Sequence, residues 1–168
     1  MPATLCTAVL GKIREQIDRT EHLIGLLPAG GLAWTPPDGG WPVSLQLGHL
    51  LECLAGFCAV LAAAHPEPLA HFRQLRDWPV NQSCDAAEAL RRIAAYRAAI
   101  EEGFALLDDA DLERSLPTVF VPQGEPLLTL LLGNLEHLIN HKHQLFACLK
   151  LMGVAVSTRD LYQFRGGA

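Results

Sequence analysis

Apolar residues recur at helical spacing along most of the chain, and this periodicity restricts the fold more than any other feature. Leu5, Val9, Ile13, Ile17, Ile24 and Leu27 follow one another by one or two helical turns, with Lys12, Arg14, Glu15 and Arg19 between them, until Pro28 and Gly30-Gly31 stop the pattern. A second helix is expected from about Leu45 to Ala64, with Ser44 as its N-cap. A third opens at Ser83, carries Asp85 and Glu88 in its first turn and reaches about Leu107. A fourth runs from Pro126, a residue favoured in a first turn, to Gly153, a C-cap. The stretch LAWTPPDGGWPV reads as a structured loop, LAHFRQL as a helical turn or two, and Val119-Phe120-Val121 is the only β-like run. No alternating segment is long enough to build a sheet. These elements specify an all-α chain, a four-helix bundle with long crossover loops, forming one domain over 1–168 whose tail from about 157 is loosely held.

Composition narrows the function. A chain of 168 residues, 50% hydrophobic, can bury one substantial core and is too short for two ordinary ones. Its formal net charge is −5 and Lys and Arg form no run, so neither a nucleic-acid nor an anionic-membrane surface has electrostatic support. The start, MPATLCTAVLGKIREQ, lacks the basic and apolar blocks of a secretory signal. The apolar run GHLLECLAGFCAVLAAA carries His49 and Glu52 between Pro42 and Pro66, which fits a buried amphipathic helix better than a membrane span. The five cysteines are widely spaced and include no Cys-x-x-Cys pair, so reduced thiols in a cytoplasmic protein are expected.

The fourth helix raises a chemical question, because EHLINHKHQLFACLKLMG sets three histidines in an apolar run. His137 and His141 are four apart, about 40° on a helical wheel, and both can face one ion. The spacing is that of the His-Glu-x-x-His zinc motif, but Leu138 occupies the glutamate's place, so the general base of that motif is missing. His143 lies about 200° round from His141 and points elsewhere. A third ligand has to come from His22, His49, His65 or His71. His49 is the strongest of these, since it sits inside LQLGHLLECLAGF, where an unpaired imidazole costs desolvation energy; Glu52 and Cys53 share its face. Three neutral imidazoles would leave a divalent ion its full charge and an open position. The plain alternative is a core histidine bonded to a neighbouring group, with the pair arising by chance. Cys53 and Cys148 read as core fillers, Trp34 and Trp41 as loop anchors, and Asp108, Asp109, Asp111 and Glu113 as a solvated loop.

Two of these segments resemble a known family. Trp41-Pro-Val-Ser-x-x-x-Gly-His49-Leu50 is similar to the Trp-Ser…His-Leu signature of the DinB/YfiT-like superfamily, and His137-x-x-x-His141-x-x-Gln144, followed by spaced leucines and a Met-Gly, resembles its last long helix. The resemblance implies a four-helix bundle holding a divalent metal, commonly nickel or zinc, on three histidines, here His49, His137 and His141. It also implies an enzyme, either a transferase or isomerase using a low-molecular-weight thiol, or a hydrolase. Where the family often has Arg-Gly-Gln after its last ligand, this chain has Lys142-His143-Gln144, which removes a close-approach glycine. Within that reading Glu52, one turn from His49, is the candidate catalytic residue that shuttles a proton, or else the partner that orients an imidazole. The competing reading is a non-catalytic bundle, with the metal structural or absent, acting in dimerisation or a stress-related interaction. A small-molecule substrate and a homodimer are the partners expected, with no nucleic acid or membrane.

Overall fold

A computed structural model describes residues 4–37, 39–118 and 121–162. The apolar periodicity becomes four long helices, α1 (Leu5–Gly25), α2 (Val43–Ala64), α4 (Ala86–Phe104) and α5 (Leu127–Leu151), with single-turn helices α3 (Arg73–Arg76) and α6 (Thr158–Leu161). One short antiparallel pair, β1 (Ser115–Leu116) with β2 (Glu125–Pro126), leads into α5. Of the β-like run, positions 119 and 120 lie outside the described residues.

The helix starts differ in detail from expectation. The α2 helix begins directly after Pro42, without a side-chain cap, because Val43 is already fully buried. Ser44 is therefore inside the first turn rather than its N-cap, and its carbonyl accepts from the Cys84 amide at 3.0 Å. The cap of α4 is Asp85, whose carboxylate accepts from Glu88 N at 2.8 Å, and not Ser83. At the other end of the bundle Asp109 accepts from the Leu5 and Cys6 amides at 2.9 Å each, so the acidic stretch is solvated, as expected, and one of its members also helps to cap α1. Gly153 does close α5 in the left-handed region, at φ +81°.

Both α1 and α2 pack chiefly against α4 and α5, which places α1 diagonally opposite α2 and α4 diagonally opposite α5. Two of the connections, α1 to α2 and α4 to α5, therefore cross a diagonal, and this is the crossover bundle that the long loops imply. The α2 helix is central and its apolar face is packed on the core through Leu47, Leu50, Leu54, Phe57 and Leu61. By length and hydropathy α2 could cross a membrane, at a mean hydropathy of 1.8, yet 56% of that window is buried inside the bundle.

On α5 the buried positions Leu131, Leu135, Leu138, Lys142, Leu145 and Leu149 alternate steps of four and three, a seam facing the core. The segment expected to be loose from about 157 is folded through Leu161, since a capping box at Ser157 starts α6 and the Leu161 carbonyl accepts from buried Lys142 at 2.8 Å.

Candidate metal centre

Beside the leucine seam α5 carries a second one, Asn134, His137, His141, Gln144 and Cys148, turned towards α2. Where α2 crosses it, His49 meets the helical pair: ring centroids are 5.4 Å apart for His49 and His137, 4.3 Å for His49 and His141, and 4.6 Å for His137 and His141. One nitrogen from each ring lies within 4.8 Å of the other two. Small side-chain rotations close such a separation to the ~4 Å or less required of two nitrogens about 2.0–2.1 Å from a common ion. Among the described residues this is the one group of three or more such side chains placed to hold a metal.

The hydrogen bonds around the rings decide which nitrogens are free. His141 Nδ1 donates to Gln144 Oε1 at 2.8 Å, one turn along α5. His49 Nδ1 donates to the side-chain oxygen of Asn81, and Glu52 Oε2, a second acceptor, stands 3.1 Å from the same nitrogen. Protons on Nδ1 leave the Nε2 lone pairs of His49 and His141 unshared. Burial lowers the pKa of His137 and His141 from the usual imidazole value, assisted for both by neighbouring histidines and opposed by Glu52 and, at His141, by the bond to Gln144. For His137 and His141 the shift favours the neutral ring, the form that donates an electron pair. The donor set fits a divalent cation: three borderline nitrogen ligands are gathered within 4.8 Å of one another.

Around the rings lies room for a small molecule. A cleft of about 650 Å³ is lined by Trp41, Gln46, His141, Gln144, Cys148 and Leu151, among others. A second, of about 600 Å³, runs along the same two helices between Gly56, Ala59 and Ala63 of α2 and Gly133 and Asn134 of α5. The indole of Trp41, half exposed, meets His49 edge-on at 5.1 Å, so it borders the site as well as anchoring its loop. Glu52 is partly exposed, with 42% of its side chain accessible.

The other histidines go elsewhere. His22 pairs with Asp160 at 2.8 Å, His65 faces Asp111 at 3.8 Å, His71 faces Glu102 at 3.2 Å, and His143 is exposed. Cys53 and Cys148 are buried, and burial pushes the Cys53 thiol up to about 12, as befits an inert core residue. Asn81 was not legible as a site residue. It lies 32 positions from His49 in an irregular loop, and no periodicity or motif points from one to the other.

No functionally curated protein is similar enough to the chain to count as a match. Among solved structures, the fold is similar to that of a DinB-like protein, YjoA, from Bacillus subtilis: the TM-score is 0.67 at 15% identity, covering 94% of this chain and 96% of that one. The sequence model of the DinB superfamily matches residues 12–145, most of the chain and all three clustered histidines, and the protein is therefore a member of the DinB superfamily.

Proposed function

We propose that the protein is a metal-dependent enzyme in which His49, His137 and His141 hold one divalent ion, nickel or zinc, and that it acts on a small molecule as a thiol-dependent transferase or isomerase or as a hydrolase. The observation that carries this reading is the convergence of three imidazoles whose donor atoms lie within 4.8 Å of one another, two of them with Nδ1 already engaged. A bound divalent ion would supply Lewis acidity, lowering the pKa of a water or thiol beside it. Both hydrogen-bond partners, Asn81 and Gln144, are neutral amides rather than carboxylates, so they orient the rings without offsetting positive charge at the centre.

The remaining chemistry belongs to the chain. Glu52, on the helical face of His49 and open to solvent on one side, is the group placed to accept a proton from the nucleophile and pass it outward. Trp41 and the small residues of α2 supply apolar walls that keep water from competing, and the Gln144 amide nitrogen, whose oxygen serves His141, would offer a neutral hydrogen bond to a substrate. Among the described residues the cleft beside His141 is lined by neutral side chains, Trp41, Gln46, Gln144 and Leu151 among them.

The test is elemental analysis of protein purified without an affinity tag, followed by cobalt substitution and addition of low-molecular-weight thiols. About one divalent ion per chain and a thiolate charge-transfer band support the thiol-dependent reading. Metal without a band directs the search to hydrolysis. Protein that acquires no divalent ion, even when supplied with one, is the non-catalytic bundle.

A further inference from the structure

Asn81 occupies its place at some conformational cost. Its φ of +58° makes it the one non-glycine among the described residues in the left-handed region. Asparagine tolerates that region better than most residues, but glycine adopts it more freely still. The loop around it is pressed onto the first turns of α2: Asn81 N donates to the Gly48 carbonyl at 3.2 Å, and Cys84 N to that of Ser44 at 3.0 Å. Gly48 makes the approach feasible, because a Cβ there would stand 1.7 Å from the Gln82 carbonyl oxygen. Upstream, Trp78 is held between α4 side chains, with the Arg91 and Arg92 guanidinium carbons 5.5 and 5.6 Å from its ring and Tyr96 edge-on at 5.4 Å. These contacts would hold the backbone equally well with glycine at 81. What asparagine adds is the oxygen that receives the His49 proton.

We propose that Asn81 is the positioning residue of the metal centre: it fixes His49 in the tautomer that presents Nε2 to the ion. The proposal rests on the three-histidine reading. Two acceptors crowd one nitrogen, Asn81 from the loop and Glu52 from the next turn of α2, and the hydrogen bond is made to Asn81.

The separating experiment compares Asn81→Gly, Asn81→Asp and Glu52→Gln. Glycine relieves the backbone and deletes the oxygen; aspartate keeps an oxygen in place. Zinc affinity, measured by competition with a chromophoric chelator, should fall about 10- to 100-fold in Asn81→Gly. It should stay within about threefold of wild type in Asn81→Asp and Glu52→Gln. In the metal-free protein the His49 ring nitrogens, read by ¹⁵N NMR, should report a protonated Nδ1 in wild type and a mixture of tautomers in Asn81→Gly. A purely structural Asn81 predicts the reverse, with glycine as good as or better than asparagine in both measurements, and that result overturns the proposal. So does loss of affinity or of the tautomer in Glu52→Gln alone, which would make Glu52 the orienting partner. If wild type binds no divalent ion, the enzyme reading falls, while the metal-free nitrogen shifts still decide whether Asn81 sets the tautomer.

Discussion

Lys142 follows His141 directly in the sequence, yet the two side chains leave α5 on different sides and meet opposite circumstances. The Lys142 ammonium, 2% exposed, is turned towards α1 and α6, donates to Gln16 Oε1 at 2.6 Å and to the Leu161 carbonyl at 2.8 Å, and lies 5.5 Å from the Tyr162 ring. Desolvation lowers its pKa, and buried Glu15 opposes that shift. Every contact is supplied by the chain itself, so this cluster is complete as folded. On the α2 side, among the described residues, the hydrogen bonds of His49 and His141 are made at Nδ1, and their Nε2 lone pairs face the His137 ring in a group that could hold a metal. A buried polar group whose partners are all internal is a fastening, whereas a set of acceptors without a donor is a request for a cation. Burial alone does not distinguish the two; the inventory of donors and acceptors does.

The largest effect should come from breaking the open cluster. If the roughly 10–16 kcal/mol of a structural zinc site is spread over four ligands, each is worth about 3 kcal/mol, more than a hundredfold in affinity. His49→Ala, His137→Ala and His141→Ala should each lose stoichiometric metal on desalting, and to similar degrees. Retention by His49→Ala would show that the α5 pair binds without α2. The metal-free variants should differ from wild type by no more than about 1 kcal/mol in urea unfolding, because each substitution removes a partly buried imidazole that gives the folded chain little.

Lys142→Ala should show the converse. Removing the ammonium leaves Gln16 Oε1 and the Leu161 carbonyl buried without their donor and opens space in the seam, at a combined cost of about 2–3 kcal/mol in urea unfolding. Metal content should not change. If Lys142→Ala loses metal while remaining folded, the two sides of α5 are coupled and the contrast between them fails.

How much of this was readable from the sequence follows from the range of each interaction. The helices were legible because amphipathic period is local, and the crossover arrangement because long connections between long helices leave few other routes. The helix starts were read less well: Ser44 and Ser83 are good capping residues, but burial of Val43 and the side chain of Asp85 set the boundaries instead. His137 and His141 could be paired from their spacing alone, and His49 stood out by its place in an apolar helical run, a choice the resemblance strengthened. Lys142 carried a signal that went unread, since it falls on the leucine seam of α5 at a position where a lysine has to be buried or bend away. Asn81 carried none. Its role exists only because a loop distant in sequence is pressed against Gly48, and nothing local encodes that contact.

A smaller effect is expected at the C-terminal latch. Asp160 accepts from Ser157 N at 2.7 Å and pairs with His22 at 2.8 Å, and the His22 bond first, then the Ser157 amide, holds its pKa below the usual carboxylate range. A depressed carboxylate pKa contributes stability above its unfolded value, lost as pH falls through the folded one. Docking of α6 should therefore be insensitive to Asp160 above the ordinary carboxylate range and weaken as pH falls below it, seen as faster amide exchange over 157–161. Asp160→Asn should reproduce that fraying at neutral pH without releasing metal. Metal loss in Asp160→Asn would place the latch and the site under common control.

The smallest effect, and the sharpest control, is at His143. It is two residues beyond His141, about 200° round the helix, and its exposed ring lies 6.0 Å from that of Phe146 on the same helix. It belongs to neither seam. A solvated imidazole in contact with its own helix contributes little to folding, so His143→Ala should leave urea unfolding within about 0.5 kcal/mol of wild type and metal content unchanged. Sedimentation mass measured alongside tests the one role its exposure leaves open: a drop in mass with full metal would put His143 in a contact between copies of the chain. Loss of metal from His143→Ala would be the more damaging result, because it would mean that chemistry on α5 reaches beyond the face turned to α2.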